Sequence, residues 1–333
     1  MEKPDLELGN HGLRCNPDQP QISIIMPAFN AAGTIRESIE SALHQTCRDF
    51  ELLVTDDGSS DDTLKIADSI GDSRVKVIRC SHAGAAAARN HGIARARGEF
   101  ICFLDADDLW APTKLERQLD ALRASPESAL AYGWSDLVNQ QGGLLFRGGH
   151  VSVSGSVRDK LFVYNFIECG SNPMVRRIAL DAVGWFDEKL IGGEDWDLWQ
   201  RIAARYPFVG IPETLVYYRM SEPSLSANVE QQAKDCLAIA HRMFAALPEE
   251  QRVGESRTVA RLYRYLALRT VFAGQARNRL RTICGFAYSS FHARPSLSVI
   301  PFLCILSTAA LLFSIRAHRT LYRITCLLPQ MPI

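Results

Sequence analysis

Phe100-Ile-Cys-Phe-Leu-Asp-Ala-Asp-Asp108 sets five apolar residues directly against a run of carboxylates. An unbroken apolar run of this length reads as a strand covered on both faces, as in the interior of a parallel sheet. Outward from it, strand-length apolar runs alternate with helical patterns: 22–26 then 34–44, 50–55 then 61–70, 75–79 then 85–96, and 100–104 then 112–124. Four strand-then-helix units predict an α/β domain with a mainly parallel sheet and helices on both faces. Ligands of such sheets bind beyond the carboxyl ends of the strands.

Two acidic clusters fall at those ends. Asp56-Asp57-Gly58-Ser59 follows the second strand, and Asp105-Ala106-Asp107-Asp108 follows the fourth. Carboxylates gathered on one rim repel each other unless a cation or donor groups sit among them, and hard oxygen ligands suit Mg²⁺ or Mn²⁺. Such an ion is completed by phosphates and water, so the expected partner is a diphosphate. A lone D-x-D is explained equally well by turns and helix caps; its place after a buried strand, with a second acidic strand end upstream, gives it weight. A third constellation is Gly192-Gly193-Glu194-Asp195-Trp196-Asp197-Leu198-Trp199. Two glycines before an acidic pair predict a loop running into a helix whose first turn bears the carboxylates. Capping and the helix dipole also account for acids there. Trp196 and Trp199 read as core.

The 333 residues carry 37 basic and 37 acidic side chains, and 47% are apolar, which excludes a mainly disordered chain. The 22% of charged residues argues against a polytopic membrane protein. The zero net charge hides an asymmetry. Eleven arginines and no acid or lysine follow Glu255; 37 less 11 leaves 26 basic against 37 acidic groups before it, so plus eleven faces minus eleven. Residues 1–20 read as a loose, polar lead-in without a signal-peptide pattern. The nine cysteines are scattered without zinc-ligand spacing, and together these predict a reducing, cytoplasmic setting. Residues 228–333 form a helical, basic region containing the uncharged stretch 295–315, bounded by Arg294 and Arg316. A helix of about twenty residues spans about one hydrocarbon core, though Pro301 opposes insertion. The expectation is a protein on the cytoplasmic side of the membrane, peripheral or anchored by this stretch, with a packed helix as the competing reading.

The ordered strings 22–30 (ISIIMPAFN), 56–61 (DDGSSD), 88–92 (ARNHG), 103–108 (FLDADD) and 193–199 (GEDWDLW) resemble the family 2 glycosyltransferases of GT-A fold. The resemblance covers residues 21–220 or so. It implies a Rossmann-like mixed sheet over 21–227, with a nucleotide-sugar half at about 21–125 and an acceptor half at about 126–227. It further implies inverting transfer of a sugar from a nucleotide diphosphate sugar to an acceptor hydroxyl, with a divalent cation, Mn or Mg. Pro27, Ala28 and Asn30 match the first-strand motif beside the nucleotide. Asp57, with Asp56 beside it, matches the carboxylate that reads the base. Arg89 and Asn90 match a segment near the donor; Asp105 and Asp107 match the D-x-D at the ribose and the metal-bound diphosphate. Asp195 matches the acceptor-side base and Glu194 its neighbour. Met26, Phe29 and His82 depart from the usual Val or Ile, Tyr and Asn.

The basic, apolar tail adds the expectation of a glycan or lipid-linked acceptor at a membrane surface, in cell-surface polysaccharide assembly. No nucleic-acid partner is expected. Two alternatives remain at this stage. A non-catalytic nucleotide-sugar-binding protein would keep the donor motifs. A D-x-D phosphoryl-transfer enzyme would want a different residue after Asp108 than Leu109, and a downstream lysine other than helical Lys114.

Overall fold

Strand β1 (Ile22–Ala28) is buried at every position but Pro27, so it is covered on both faces. In the computed structural model, which describes residues 19–220, 229–272 and 279–293, it lies between two parallel partners. β2 (Phe50–Asp56) and β4 (Phe100–Phe103) both place their first residue opposite Ile22. β3 (Val75–Arg79) extends the parallel set beyond β2.

Past β4 the sheet changes sense. β8 (Met174–Arg176) is antiparallel to β4 and to β6 (Leu130–Val138), while β6 pairs in parallel with β9 (Phe208–Arg219). β5 (Leu109–Trp110) runs antiparallel to β9, and β7 (Leu144–Arg147) pairs with β6. The nine strands form one mixed sheet in the order β3-β2-β1-β4-β8-β6-β9-β5, with β7 off this path. Because β8 opposes both neighbours, β1, β2, β4, β6 and β9 end on the same rim. The α/β class and mixed sheet are those expected.

Alternate strand residues feed two apolar clusters, one on each face. Ile22, Ile24, Met26, Phe100 and Cys102 meet Ile35 and Ile39 of α1 (Ile35–Leu43) and Leu115 and Leu119 of α4 (Lys114–Ala124). Ile25, Leu53, Ile101 and Phe103 meet Ile93 of α3 (Ala85–Arg95) and Trp196 and Trp199 of α7 (Glu194–Ala203). Each such side chain contributes about 1.5–3 kcal/mol on burial, so the two tryptophans hold α7 against the sheet, as core residues. Between these elements lie α2 (Thr63–Asp68), α5 (Arg158–Val163) and α6 (Arg177–Val183).

The described residues of the C-terminal region are helical, as expected: α8 (Val229–Ala245), a 3₁₀ turn (Glu249–Gly254), α9 (Glu255–Phe272) and α10 (Arg279–Ala293). Cys236, Ile239 and Ala240 of α8 join the cluster of Trp196 and Trp199. The expected membrane anchor is corrected. Among the described residues no helix is long and apolar enough to cross a membrane, and the stretch 295–315 lies outside them. The amphipathic helices of this region spend apolar residues on one another and on α7, which leaves no uniformly apolar span among them.

Candidate active site

Helix α3 reaches the rim by lying close on β1. A Cβ on Gly92 would sit 2.4 Å from Ile25 Cγ2, so only glycine permits the approach. Three residues earlier, on the same helical face, Arg89 is delivered to the strand ends with a side chain 6% exposed. Its Nη2 donates to Asp105 Oδ1 at 2.7 Å and its Nη1 donates to Glu194 Oε1 at 2.9 Å. Burial alone would lower its basicity, but Asp105 and Glu194 hold it above the ordinary arginine value. One guanidinium thus brings the D-x-D and the Glu-Asp pair together.

Glu194 and Asp195 stand in the first turn of α7, after Gly193 at φ +79°, a left-handed conformation that favours glycine. Asp195 Oδ1 accepts the Trp196 N–H at 2.6 Å. Burial first, then the Glu194 charge, pushes the Asp195 carboxyl up to about 7. That value suits a general base near neutral pH.

The D-x-D turn is held from behind. The Asp105 N–H donates to Ser171 Oγ at 3.0 Å, and Ser171 Oγ donates to Asp108 Oδ2. Asp108 is fully buried, and its Oδ1 accepts the Arg219 N–H at 3.0 Å. Burial, then the charges of Asp107 and Asp105, raises the Asp108 carboxyl well above the usual range. Burial and Asp105 push Asp107 up to about 6. Carboxylates that raise one another in this way are relieved by a divalent cation. Among the described residues no three His, Cys, Asp or Glu side chains are arranged to hold a metal by themselves. A Mn²⁺ or Mg²⁺ at Asp107 would have to be completed by phosphate oxygens and water, the common arrangement for Mg²⁺.

The upstream cluster closes the other side of the rim. Ala28 lies opposite Asp56, next to Pro27 opposite Thr55, and the Asp57 N–H donates to Ala28 O at 2.8 Å. Asp57 Oδ1 and Oδ2 accept the N–H groups of Ala83 and Gly84 at 2.8 and 2.9 Å, and His82 Nδ1 lies 2.9 Å from Oδ2. Phe29, 48% exposed, stacks on His82 at 4.4 Å between centroids. Among the described residues, Asp56 Oδ1 and Arg89 Nε are buried without a hydrogen-bond partner.

Two residues matched by resemblance are engaged in tying loops. Asn30, at φ 49°, accepts the Ser60 N–H on its side-chain oxygen at 2.9 Å. Asn90 donates to Phe186 O and Glu188 Oε1 and accepts the Phe186 N–H, which pins the loop before α7 to α3. Arg176 and Arg177 donate to main-chain carbonyls, including Ser128 O at 3.0 Å for Arg176. Ser171 and Asn172 were not singled out from the sequence. Asn172 joins β6 to the same loop, accepting the Gly133 N–H at 2.9 Å and donating to Gly133 O at 2.8 Å. Their one signal is the small polar string Gly170-Ser171-Asn172-Pro173, which reads as an ordinary turn.

The chain matches the family described as Glycosyltransferase like family 2 over residues 23–270. It belongs to that family. The glycosyltransferase is 34% identical to an Escherichia coli relative, UDP-Glc:alpha-D-GlcNAc-diphosphoundecaprenol beta-1,3-glucosyltransferase WfgD, over 65% of this chain and 84% of the relative. Other relatives are longer: the glycosyltransferase spans 35% of an uncharacterized glycosyltransferase of Rickettsia bellii, at 29% identity over 70% of this chain. Among solved structures, S. aureus TarS 1-349 superposes with a TM-score of 0.61 and 18% identity, covering 91% of each chain. The mannosyltransferase PcManGT from Pyrobaculum calidifontis, in complex with GDP-Man and Mn²⁺, gives 0.57 and 19% identity over 93% of this chain and 86% of that one. The likeness to both structures is one of fold, the GT-A type.

Proposed function

We propose that this glycosyltransferase moves a sugar from a UDP-linked donor to a hydroxyl of a lipid-linked glycan, with inversion at the anomeric carbon. The observation that carries the reading is the Arg89 bridge, which joins Asp105 to Glu194 and so places Asp195 beside the D-x-D. The donor lies along the rim, its base toward Phe29 and Asp57 and its diphosphate toward Asp105 and Asp107. A divalent cation held at Asp107 supplies charge stabilisation for the diphosphate. Asp195 accepts the proton of the acceptor hydroxyl. The acceptor oxygen then bonds to the anomeric carbon as its bond to the diphosphate oxygen breaks, and the electron pair leaves with the nucleoside diphosphate. A single displacement inverts the centre. A positioned base contributes about 10² to 10⁴ in rate. Support for the donor and acceptor classes comes from the name of the E. coli relative; support for the cation comes from the donor set and the Mn²⁺ named with the Pyrobaculum neighbour.

The test is transfer from a panel of nucleoside diphosphate sugars to an N-acetylglucosaminyl diphosphate bearing a short alkyl chain, with and without Mn²⁺. Mn²⁺-dependent transfer from UDP-glucose or another UDP-sugar, with the opposite anomeric configuration in the product, is expected. Transfer only to soluble sugars, or retention of configuration, would overturn the proposal.

A further inference from the structure

The loop that delivers Glu194 and Asp195 is held from outside the segment carrying the sequence motifs. Asp235 of α8 is 8% exposed, and its Oδ2 accepts the N–H groups of Ile191 at 2.9 Å and Gly192 at 3.3 Å. Its Oδ1 accepts Gln231 Nε2 at 2.9 Å. Both glycines mark where α8 lies on this loop. A Cβ on Gly192 would meet Gln232 Cγ at 2.8 Å, and one on Gly193 would meet Cys236 Sγ at 3.0 Å and Ile239 Cδ1 at 3.3 Å. A second tie lies one turn into α7. Asp197, 3% exposed, takes Arg201 Nε on Oδ2 at 2.9 Å and an Arg242 guanidinium nitrogen of α8 on Oδ1.

A Gly-Gly loop has wide backbone freedom, and a main-chain N–H pair on a buried carboxylate removes it with charge-assisted bonds. We infer that α8 belongs to the catalytic apparatus, with Asp235 as a positioning residue that fixes Asp195 against Arg89 and the donor through the N–H groups of Ile191 and Gly192. The inference rests on the reading of Asp195 as the base.

The full chain is assayed with UDP-glucose, Mn²⁺ and the alkyl N-acetylglucosaminyl diphosphate, comparing Asp235→Ala, Asp235→Asn and Asp195→Asn. A displacement of about 1 Å costs on the order of 10²-fold, so Asp235→Ala should lower kcat by about tenfold or more while the KM for UDP-glucose stays within about twofold. Asp235→Asn, whose amide oxygen still accepts both N–H groups, should restore most of kcat. Gly192→Ala, which pushes the loop off Gln232, should repeat the Asp235→Ala pattern and serves if that variant does not fold. A measurement without turnover is the carboxyl NMR titration of Asp195, which faces Glu194, Arg89 and Asp105. Its midpoint, expected near 7 in the parent from burial and the Glu194 charge, should fall in Asp235→Ala or Gly192→Ala as water enters, and hold in Asp235→Asn. Parent kcat and an unmoved titration in the loosened variants overturn the inference, as does a loss of kcat matched by equal loss of UDP-glucose affinity. If Asp195→Asn transfers at the parent rate, the base assignment falls instead.

Discussion

Arg89 Nη1 donates to Glu194 Oε1 at 2.9 Å across 105 residues of sequence, and this contact ties helix α3 to the first turn of α7 at the sheet rim. The same guanidinium holds Asp105. Arg89→Met keeps length and apolar packing but leaves two largely buried carboxylates without their cation. Breaking a buried pair from one side costs about 3–5 kcal/mol, and the partial exposure of Asp105 places this case near about 3 kcal/mol by the same reasoning. Urea unfolding should show that loss, together with loss of donor binding. An Arg89→Met variant as stable as the parent would show that the bridge holds nothing.

With Asp195 as the proposed base, the reaction should take its pH dependence from this carboxyl. Burial first and the Glu194 charge second raise its carboxyl from 3.8 to about 7. Below that value it is protonated and cannot accept the acceptor's proton; above it the base is free. The rate at saturating substrates should therefore rise about tenfold per pH unit on the acid side and level off above about pH 7, the form expected of one essential base. Glu194→Gln removes the neighbouring negative charge, so the midpoint should move to lower pH. A kcat profile from pH 5.5 to 9 checks both statements, and a rate independent of pH across that range would remove Asp195 from the role.

Asp107 separates function from stability. Its carboxyl is pushed up to about 6 by burial and by Asp105, so in the free protein its charge is unfavourable where it stands. Asp107→Ala should leave the melting temperature of the free protein unchanged or slightly higher, a trade-off common at functional sites. With Mn²⁺ and donor added at about a hundred times Kd, the parent should gain about 2.7 kcal/mol of stability. Asp107→Ala should lose most of that gain, as read by thermal shift. An equal gain in both proteins would place the cation elsewhere.

The sheet and its acidic rim were legible because the central parallel strands β1, β2 and β4 are buried on both faces and appear as largely apolar runs. β8 was not legible, since Met174–Arg176 offers three residues and no period. The motif acids were likewise found at strand ends and on a helix start. What sequence spacing could not convey is how they are held: Arg89 reaches Glu194 through folding alone, and Asp235 lies in a helix with no motif around it. Asn30 and Asn90 likewise carry loop ties that spacing does not convey, Asn30 accepting the Ser60 N–H and Asn90 donating to Glu188. The distinction lies in hydrogen-bond partners, which residue type does not specify.

Ser171 is the residue that connects the two acidic ends of the D-x-D turn. Its hydroxyl oxygen accepts the Asp105 N–H and its hydrogen goes to Asp108, which is fully buried. Ser171→Ala leaves the Asp105 N–H and one oxygen of Asp108 without these partners, and a buried polar group deprived of its bond costs about 1–3 kcal/mol. Among the described residues Asp108 would keep only the Arg219 N–H, so the turn that presents Asp105 and Asp107 should loosen at its base. Stability and Mn²⁺-dependent donor binding should fall together in Ser171→Ala. Ser171→Thr, which retains the hydroxyl, should recover donor binding more fully than stability, because its added methyl must be fitted beside the buried turn. Calorimetric donor titration and urea midpoints on the three proteins decide the point. Unchanged donor binding in Ser171→Ala would mean that the turn keeps its shape without the serine.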